Sequence, residues 1–212
     1  AFFDRSIKDS LTRNDNPAVQ FVVLGAGYDT RCYDLPDGID IQCFEVDMPP
    51  TLNSKIKALK SAGIPHDHVT FVETDFNQET WMDALLASGF NSNLTTYILW
   101  EGVTMYLVEE AIRDTLNLVS SLPKGSAVGV DFFSADLVEG NPPYARISKA
   151  MHNSIKYYSE EIQFGVTTGE ALSKGLEKLL QDSGLTLSRF EHVGSEEDKL
   201  PPWYFFAHID KL

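Results

Sequence analysis

Residues 21–29 have the sequence FVVLGAGYD, in which a short apolar run, Phe21–Leu24, leads directly into Gly25-Ala26-Gly27. A continuous apolar run of this length is typical of a strand covered on both faces, as in a parallel sheet. Glycines directly after such a strand let the backbone turn sharply and let a ligand lie against it without obstruction by a Cβ atom. A tight strand-to-helix connection that binds nothing would have the same pattern.

This glycine turn differs from the two common phosphate-binding loops. The dinucleotide fingerprint requires glycine or alanine three residues after its second glycine, and Thr30 stands at that position after Gly27. A P-loop requires a lysine directly after its last glycine, and this turn has none. The loop therefore favours a nucleoside without phosphates over a dinucleotide or a nucleoside triphosphate.

Apolar runs and helical patterns alternate along the chain on both sides of this turn. Strands are predicted over Phe21–Leu24, Ile41–Val46, Val69–Val72, Thr96–Trp100 and Ala127–Phe133, and helices over Phe3–Leu11, Thr51–Ala62, Thr80–Ala87 and Glu109–Leu122. This alternation indicates an α/β fold with a doubly wound, mostly parallel sheet.

The pattern resumes after Gly165 with a helix over Glu170–Ser183 and strands over Leu185–Glu191 and Trp203–Ile209. A short acidic loop joins these two strands, and parallel neighbours would need a longer crossover. The last strand is therefore predicted to be antiparallel. An open sheet that ends in this way has the plan of the Rossmann-like class I methyltransferases, an analogy that concerns the fold alone.

The length of 212 residues fits one domain, which we place over residues 1–212. The polar, aromatic stretch 134–165 interrupts the alternation and is predicted to form a lid. The chain opens with Ala1-Phe2-Phe3 and no methionine, whereas chain ends are usually polar. We therefore expect a further N-terminal segment to precede this sequence.

The composition argues against several classes of partner. The net charge of −14 gives no basic footprint for nucleic acid, and no apolar run approaches the roughly 20 residues that span a bilayer. Two cysteines without metal-ligand spacing, and no visible signal peptide, favour a reducing compartment, so the expected location is the cytoplasm and no metal is expected.

Acidic residues follow the predicted strands where an open sheet binds its ligands. Glu45 and Asp47 lie 20 and 22 residues beyond Gly25, a distance at which an acid at a strand end accepts hydrogen bonds from ribose hydroxyls. Both side chains point to the same face of the strand, so either acid is suitable, and Asp47 is nearer the strand end. A solvated strand terminus is the alternative interpretation.

The next two strands also end in polar residues. Asp75-Phe76 could bind and flank an adenine ring, although an aspartate that caps the following helix and a core phenylalanine would have the same sequence. Glu101 follows Trp100 and could hold the ammonium group of a bound amino acid, or be a loop carboxylate in water. The joint placement of these motifs at consecutive strand ends is more specific than any one of them.

Four ordered motifs together resemble the leucine carboxyl methyltransferase family. They are FVVLGAGYDTRCYDL (21–35), FEVDMP (44–49), ETDF (73–76) and WEGVTMYL (100–107). The similarity is strong over about residues 2–122 and weaker beyond. The family includes an enzyme that methylates the C-terminal leucine of a protein phosphatase, as well as bacterial and polyketide-pathway O-methyltransferases.

The resemblance implies that the chain binds S-adenosyl-L-methionine. Gly25-Ala26-Gly27 would contact the methionine part and Asp47 the ribose. Asp75 and Phe76 would contact the adenine, and Glu101 the methionine end. Transfer of the methyl group to an oxygen of a small molecule or a peptide terminus would follow.

Three other residues relate to the family pattern. Tyr106 matches a family tyrosine that would line the substrate side. Arg31 follows the pattern of bacterial members, and its role is open between cofactor contact, packing and an internal salt bridge. Family members carry an arginine for the cofactor's carboxylate in a preceding segment, and Arg5 does not match its position.

The predicted acceptor is a carboxylate, because this group is ionised near neutral pH and needs no general base. None of the five histidines falls at a predicted strand end that lines the crevice. Two alternatives remain open: a binding module without catalysis, and a nicotinamide-dependent oxidoreductase, against which Thr30 argues.

Overall fold

The computed structural model describes residues 1–36, 38–75, 80–156, 160–168, 173–195, 197 and 200–212. Within these ranges seven strands form one sheet: β1 (Gln20–Leu24), β2 (Gln42–Asp47), β3 (Val69–Glu73), β4 (Thr96–Trp100), β5 (Ala127–Phe133), β6 (Leu185–Ser195) and β7 (Leu200–Lys211). Their spatial order is β3-β2-β1-β4-β5-β7-β6. Strand β7 is antiparallel to both of its neighbours, and the other pairs are parallel. The predicted α/β fold with a last antiparallel strand is confirmed.

The helices are α1 (Phe2–Thr12), α2 (Pro49–Ala62), α3 (Trp81–Ala87), α4 (Glu109–Ser120), α5 (Ala135–Glu139), α6 (Ala145–Lys156) and α7 (Lys174–Leu179). Two single 3₁₀ turns occur at Arg31–Tyr33 and Thr104–Tyr106. Helices α5 and α6 occupy the stretch that was predicted to form a lid. Helix α7 is shorter than the helix predicted over 170–183, of which residues 170–172 lie outside the described ranges.

Apolar side chains form one cluster on each face of the sheet. Strand side chains alternate between the two faces, so Val22 and Phe44 belong to one cluster and Phe21 and Cys43 to the other. Helix α1 covers the second face. None of the helices within the described ranges has the length and hydropathy needed to cross a bilayer.

Helix α1 is held on its face by polar as well as apolar contacts. The buried Ser6 hydroxyl is hydrogen-bonded to Nδ1 of His208 on β7, and Arg189 of β6 pairs with Asp9 at 2.5 Å. Phe3 packs edge-on against Phe206 of β7, with 5.7 Å between ring centroids. These contacts hold α1 against β6 and β7.

Candidate functional site

The glycine turn lies at the carboxyl end of β1 and is held by β2. Gly25 and Gly27 have φ of +67° and +44°, the left-handed region that glycine adopts without strain. The N–H groups of Gly25 and Ala26 donate to the Val46 carbonyl at 2.9 and 3.1 Å. A Cβ atom on Gly25 would overlap Cγ2 of Val103, because the segment after β4 packs directly on the turn.

Asp47, the last residue of β2, lies against the glycine turn. Its Oδ2 accepts a hydrogen bond from Gly27 N at 2.7 Å, and its Oδ1 accepts one from Met48 N at 2.6 Å. A carboxylate has about four acceptor sites. Asp47 therefore keeps acceptor capacity for further donors while it orders the turn.

Glu45, the other acid of β2, has a different environment. It is buried, and its Oε2 lies 2.6 Å from Nζ of Lys55, which is also buried on α2. Burial raises the pKa of Glu45, although the adjacent Lys55 opposes this effect. Helix α2 thus covers Glu45 but not the end of β2, which leaves Asp47 as the acid beside the glycine turn.

The end of β3 lies next to the end of β2. Thr74 N donates to the Asp47 carbonyl at 3.1 Å, and the half-buried Asp75 follows it. The hydrogen bond between Thr74 and Asp47 therefore holds Asp75 near Asp47, the predicted ribose-binding residue. Phe76 lies outside the described residues, so its adenine contact stays a prediction, as does that of Asp75.

Glu101 follows β4 and is paired with Arg31. Its Oε2 lies 2.6 Å from Nη1 of Arg31, and its side chain is 34 % exposed. The Arg31 guanidinium also pairs with Asp29 and with Asp4 of α1. Burial alone would lower the pKa of Arg31, but the charges of Asp29 and Glu101 raise it. Of the roles left open for Arg31, the structure shows an internal salt bridge.

A cavity of about 310 Å³ lies between the carboxyl ends of β1 and β4. The glycine turn, Asp29, Arg31 and Glu101 are among the residues that line it. The strand order reverses between β1 and β4, and open α/β sheets bind ligands at such a switch point. The structure thus brings the glycine turn and Glu101 into one crevice, with Asp47 hydrogen-bonded to the turn.

Tyr106 lies in the 3₁₀ turn after β4. Its carbonyl accepts a hydrogen bond from Nε2 of Gln163 at 3.1 Å. Burial raises the pKa of its phenol, and the charges of Glu160 and Asp131 raise it further. Tyr106 is thus close to Glu160 and to Asp131 of β5, and its contact with a substrate stays a prediction.

Sequence reasoning missed Asp131 and Tyr204. Asp131 is fully buried on β5, and its two carboxylate oxygens accept from Gly102 N at 2.9 and 3.0 Å. The Tyr204 hydroxyl of β7 donates to Oδ2 of Asp131. Burial raises the pKa of Asp131 to about 6, against the opposing effect of these hydrogen bonds. A single charge inside the apolar run Ala127–Phe133 was the available signal.

The charge of Asp131 is expected to cost stability. A carboxyl with a pKa of about 6 in the folded chain and about 4 in the unfolded chain makes the fold less stable above about pH 6 than below about pH 4, by up to roughly 3 kcal/mol. Asp131→Asn removes this charge and keeps an acceptor for Gly102 N. We expect the variant to be about 1–3 kcal/mol more stable than the wild type at about pH 7.5, with little difference at about pH 3.5.

Urea denaturation at the two pH values measures this effect. The exposed Asp114 on α4 provides the matched control, because Asp114→Asn removes an aspartate charge from a solvated position. The groups that face Asp131 are Tyr204, Tyr106 and Glu101. A loss of stability in Asp131→Asn at both pH values would contradict the predicted cost of this charge.

Solved structures of methyltransferases share this fold. A protein of Thermobifida fusca titled as a presumptive methyltransferase has a TM-score of 0.67 at 13 % identity, over 98 % of this chain and 78 % of that one. Magnesium protoporphyrin IX methyltransferase of Synechocystis, solved with bound S-adenosylhomocysteine (SAH), has a TM-score of 0.59 at 10 % identity, over 99 % of this chain and 83 % of that one. At these identities the likeness concerns the fold.

Sequence relatives are more informative. YktD of Bacillus subtilis, which bears the name of a presumptive S-adenosyl-L-methionine-dependent methyltransferase, is 31 % identical over 188 residues, 85 % of this chain and 57 % of YktD. A similarly named Mycobacterium tuberculosis protein, MT0153, is 34 % identical over 124 residues, 58 % of this chain and 39 % of that protein. The chain thus spans little more than half the length of YktD, and less of MT0153.

The family assignment rests on the first part of the chain. The family model described as leucine carboxyl methyltransferase matches residues 1–120, more than half of the 212 residues. This match covers the glycine turn, Asp47, Asp75 and Glu101, and it confirms the resemblance that the four motifs indicated. The chain belongs to the leucine carboxyl methyltransferase family.

Proposed function

We propose that this chain binds S-adenosyl-L-methionine at the carboxyl ends of β1, β2 and β4, and that the protein transfers the methyl group to a carboxylate oxygen of a small molecule or a chain terminus. The observation that carries the proposal is the contact between Asp47 and Gly27 N at 2.7 Å. It joins an acid with spare acceptor sites to a glycine turn that no Cβ atom obstructs. The names of the relatives support the choice of cofactor.

The crevice residues match the parts of this cofactor. Asp47 would accept hydrogen bonds from the two ribose hydroxyls, as acids at this position of related folds do. The methionine end would lie on Gly25 and its turn, with its ammonium group on Glu101. Asp75 and Phe76 would hold the adenine. An ammonium group beside Glu101 would compete with Arg31 for the carboxylate, because Arg31 is its partner in this structure.

The bound cofactor supplies a methyl group on an already activated leaving group. The task of the protein is therefore to align the acceptor with the methyl carbon and to exclude water. Alignment of this kind can lower a barrier by roughly 7–11 kcal/mol. The acceptor oxygen forms a bond to the methyl carbon as the carbon–sulfur bond breaks, and an ionised carboxylate releases no proton in this step.

No histidine is among the described residues that line the crevice, which favours the carboxylate acceptor. All five histidines lie in described residues, and none lines the cavity between β1 and β4. His66 and His68 are hydrogen-bonded to main-chain carbonyls, and His208 to Ser6. Asp131 is fully buried with both oxygens on Gly102 N, so it is not accessible as a base.

Two measurements test the proposal. Calorimetric titration with SAH and with NAD is expected to show binding of SAH alone. Incubation with methyl-labelled S-adenosylmethionine and panels of carboxylic acids and phenols is then expected to label a carboxylic acid. Alkali releases methanol from a methyl ester but not from a methyl ether, so base-labile label identifies the carboxylate acceptor.

Each contrary outcome favours a different alternative. Alkali-stable label would replace the carboxylate acceptor by a hydroxyl. Binding of SAH without transfer to any acceptor would favour a module that binds but does not catalyse. Binding of NAD in place of SAH would favour the oxidoreductase.

A further inference from the structure

We propose that Asp131 and Tyr204 are positioning residues, which act through Gly102 to hold the Glu101 carboxylate where it meets the amino-acid end of the cofactor. The inference rests on the proposed function, since it takes Glu101 as the partner of the methionine ammonium. Asp131 lies on β5 and Tyr204 on β7, and Asp131 contacts Gly102, the residue directly after Glu101.

Asp131 anchors the segment that carries Glu101. Gly102 N lies between the two carboxylate oxygens of Asp131, at 2.9 and 3.0 Å. Two residues on, the Thr104 hydroxyl donates to the main-chain carbonyl of Asp131 at 2.6 Å. Gly102 has φ of +75°, so the chain turns sharply directly after Glu101. The direction of the Glu101 side chain therefore depends on a turn that Asp131 holds from β5.

Tyr204 fixes the Asp131 carboxylate in turn. It lies on β7 opposite Phe133 and reaches diagonally along the sheet to donate its hydroxyl to Oδ2 of Asp131. Its ring packs against Phe133 at 5.2 Å and against Phe206 at 4.6 Å between centroids. These ring contacts hold the phenol beside Asp131. The hydrogen bond that its hydroxyl donates stabilises the ionised carboxylate over the neutral acid.

A structural salt bridge does not explain the charge of Asp131 within the described part of the chain, because no ion pair there includes Asp131. A buried, unpaired carboxylate is costly to a fold, and such groups are concentrated at functional sites. The charge of Glu101 raises the pKa of Asp131, so the two acids interact, and a cation bound by Glu101 interacts with both.

The test compares two ligands that differ only in the amino-acid end. SAH carries it, and 5′-methylthioadenosine is the corresponding nucleoside thioether without it. In Tyr204→Phe we expect the dissociation constant of SAH to rise about 10-fold, and in Asp131→Asn about 30-fold, in keeping with lost hydrogen bonds to a charged group. The affinity for 5′-methylthioadenosine is expected to change by less than about 2-fold.

A matched control separates this effect from general damage to the core. Tyr144→Phe removes the hydroxyl of a buried tyrosine, which donates to the Pro201 carbonyl, and it should leave both affinities unchanged. Calorimetry gives the two affinities for each variant, and thermal denaturation shows whether each variant is folded.

The outcomes separate this inference from the proposed function. Suppose that the wild type binds SAH well, and that the variants lose affinity for both ligands equally or for neither of them. The pair is then only structural, and the inference is wrong. If the wild type binds both ligands equally, Glu101 does not hold the amino-acid end, and the inference is wrong although the nucleoside site stands. If the wild type binds neither ligand, the proposed function itself is wrong, and the inference with it.

Discussion

Replacing Asp47 by alanine is expected to weaken SAH binding by at least about 100-fold. Each hydrogen bond to a charged acceptor contributes about 1.5–3 kcal/mol, and Asp47 would accept from two ribose hydroxyls. The variant also loses the bond that holds Gly27 N at 2.7 Å, so the glycine turn loses its support from β2. The two effects act in the same direction, and calorimetric titration with SAH measures their sum.

Asp67 provides the control for this experiment. It is an exposed aspartate just before β3, at the amino ends of the parallel strands and so at the opposite edge of the sheet. Asp67→Ala removes the same charge from the chain and should leave the SAH affinity unchanged. An Asp47→Ala variant that is folded and binds SAH within about 3-fold of the wild type would exclude Asp47 as the ribose-binding residue.

Replacing Gly25 by alanine is expected to abolish measurable SAH binding and to destabilise the chain by about 2–5 kcal/mol. An L-residue at a φ of +67° costs roughly 1–2 kcal/mol. The new Cβ atom would also overlap Cγ2 of Val103, and overpacking of this kind costs about 1–3 kcal/mol. The turn or the segment after β4 must move, and both line the crevice.

Gly63 allows the backbone term to be measured alone. Gly63 has the same φ of +67° at the end of α2, but a Cβ atom there would meet no other atom within 4 Å. Gly63→Ala should therefore cost only the backbone strain and leave SAH binding intact. Urea denaturation and calorimetry of both variants give the comparison, and equal stability losses would contradict the predicted overlap with Val103.

Where local sequence and sheet pairing agree, the elements could be predicted well. The bounds predicted for β4 and β5 are those observed, because both are central strands whose apolar runs end where the sheet ends. Strands β6 and β7 extend beyond their predicted limits, since they pair with each other as far as Ser195 and Leu200. The residues added to each strand are paired with the other strand, which no local pattern indicates.

The short helices after β5 were not predicted for a related reason. Helix α5 has five residues and α6 has only one buried side chain, Ser148. A helix of five residues is too short to show a periodicity, and a helix that buries almost no side chain has little packing to fix it, so the positions of both depend on contacts with other elements. Tyr144 between them, for example, is fixed by its hydroxyl contact with Pro201, far along the chain.

The residues of the candidate site that follow from the position of a motif could be predicted, and those that depend on packing between distant elements could not. The predicted strand ends alone place the glycine turn and Glu101 at one edge of the sheet. Position also favours Asp47 over Glu45, because Asp47 is nearer the end of β2, and the cover of Glu45 by Lys55 supports that choice. The partner of Asp131 comes from β7, the last strand of the chain, and no local pattern connects the two residues.

The most direct test of the account is a crystal structure of this chain with SAH bound. The account predicts the two ribose hydroxyls within about 3 Å of the Asp47 carboxylate, and the ligand's amino group within about 3 Å of Glu101. A nucleoside bound elsewhere, with the Asp47 carboxylate hydrogen-bonded only to the backbone of Gly27 and Met48, would contradict it.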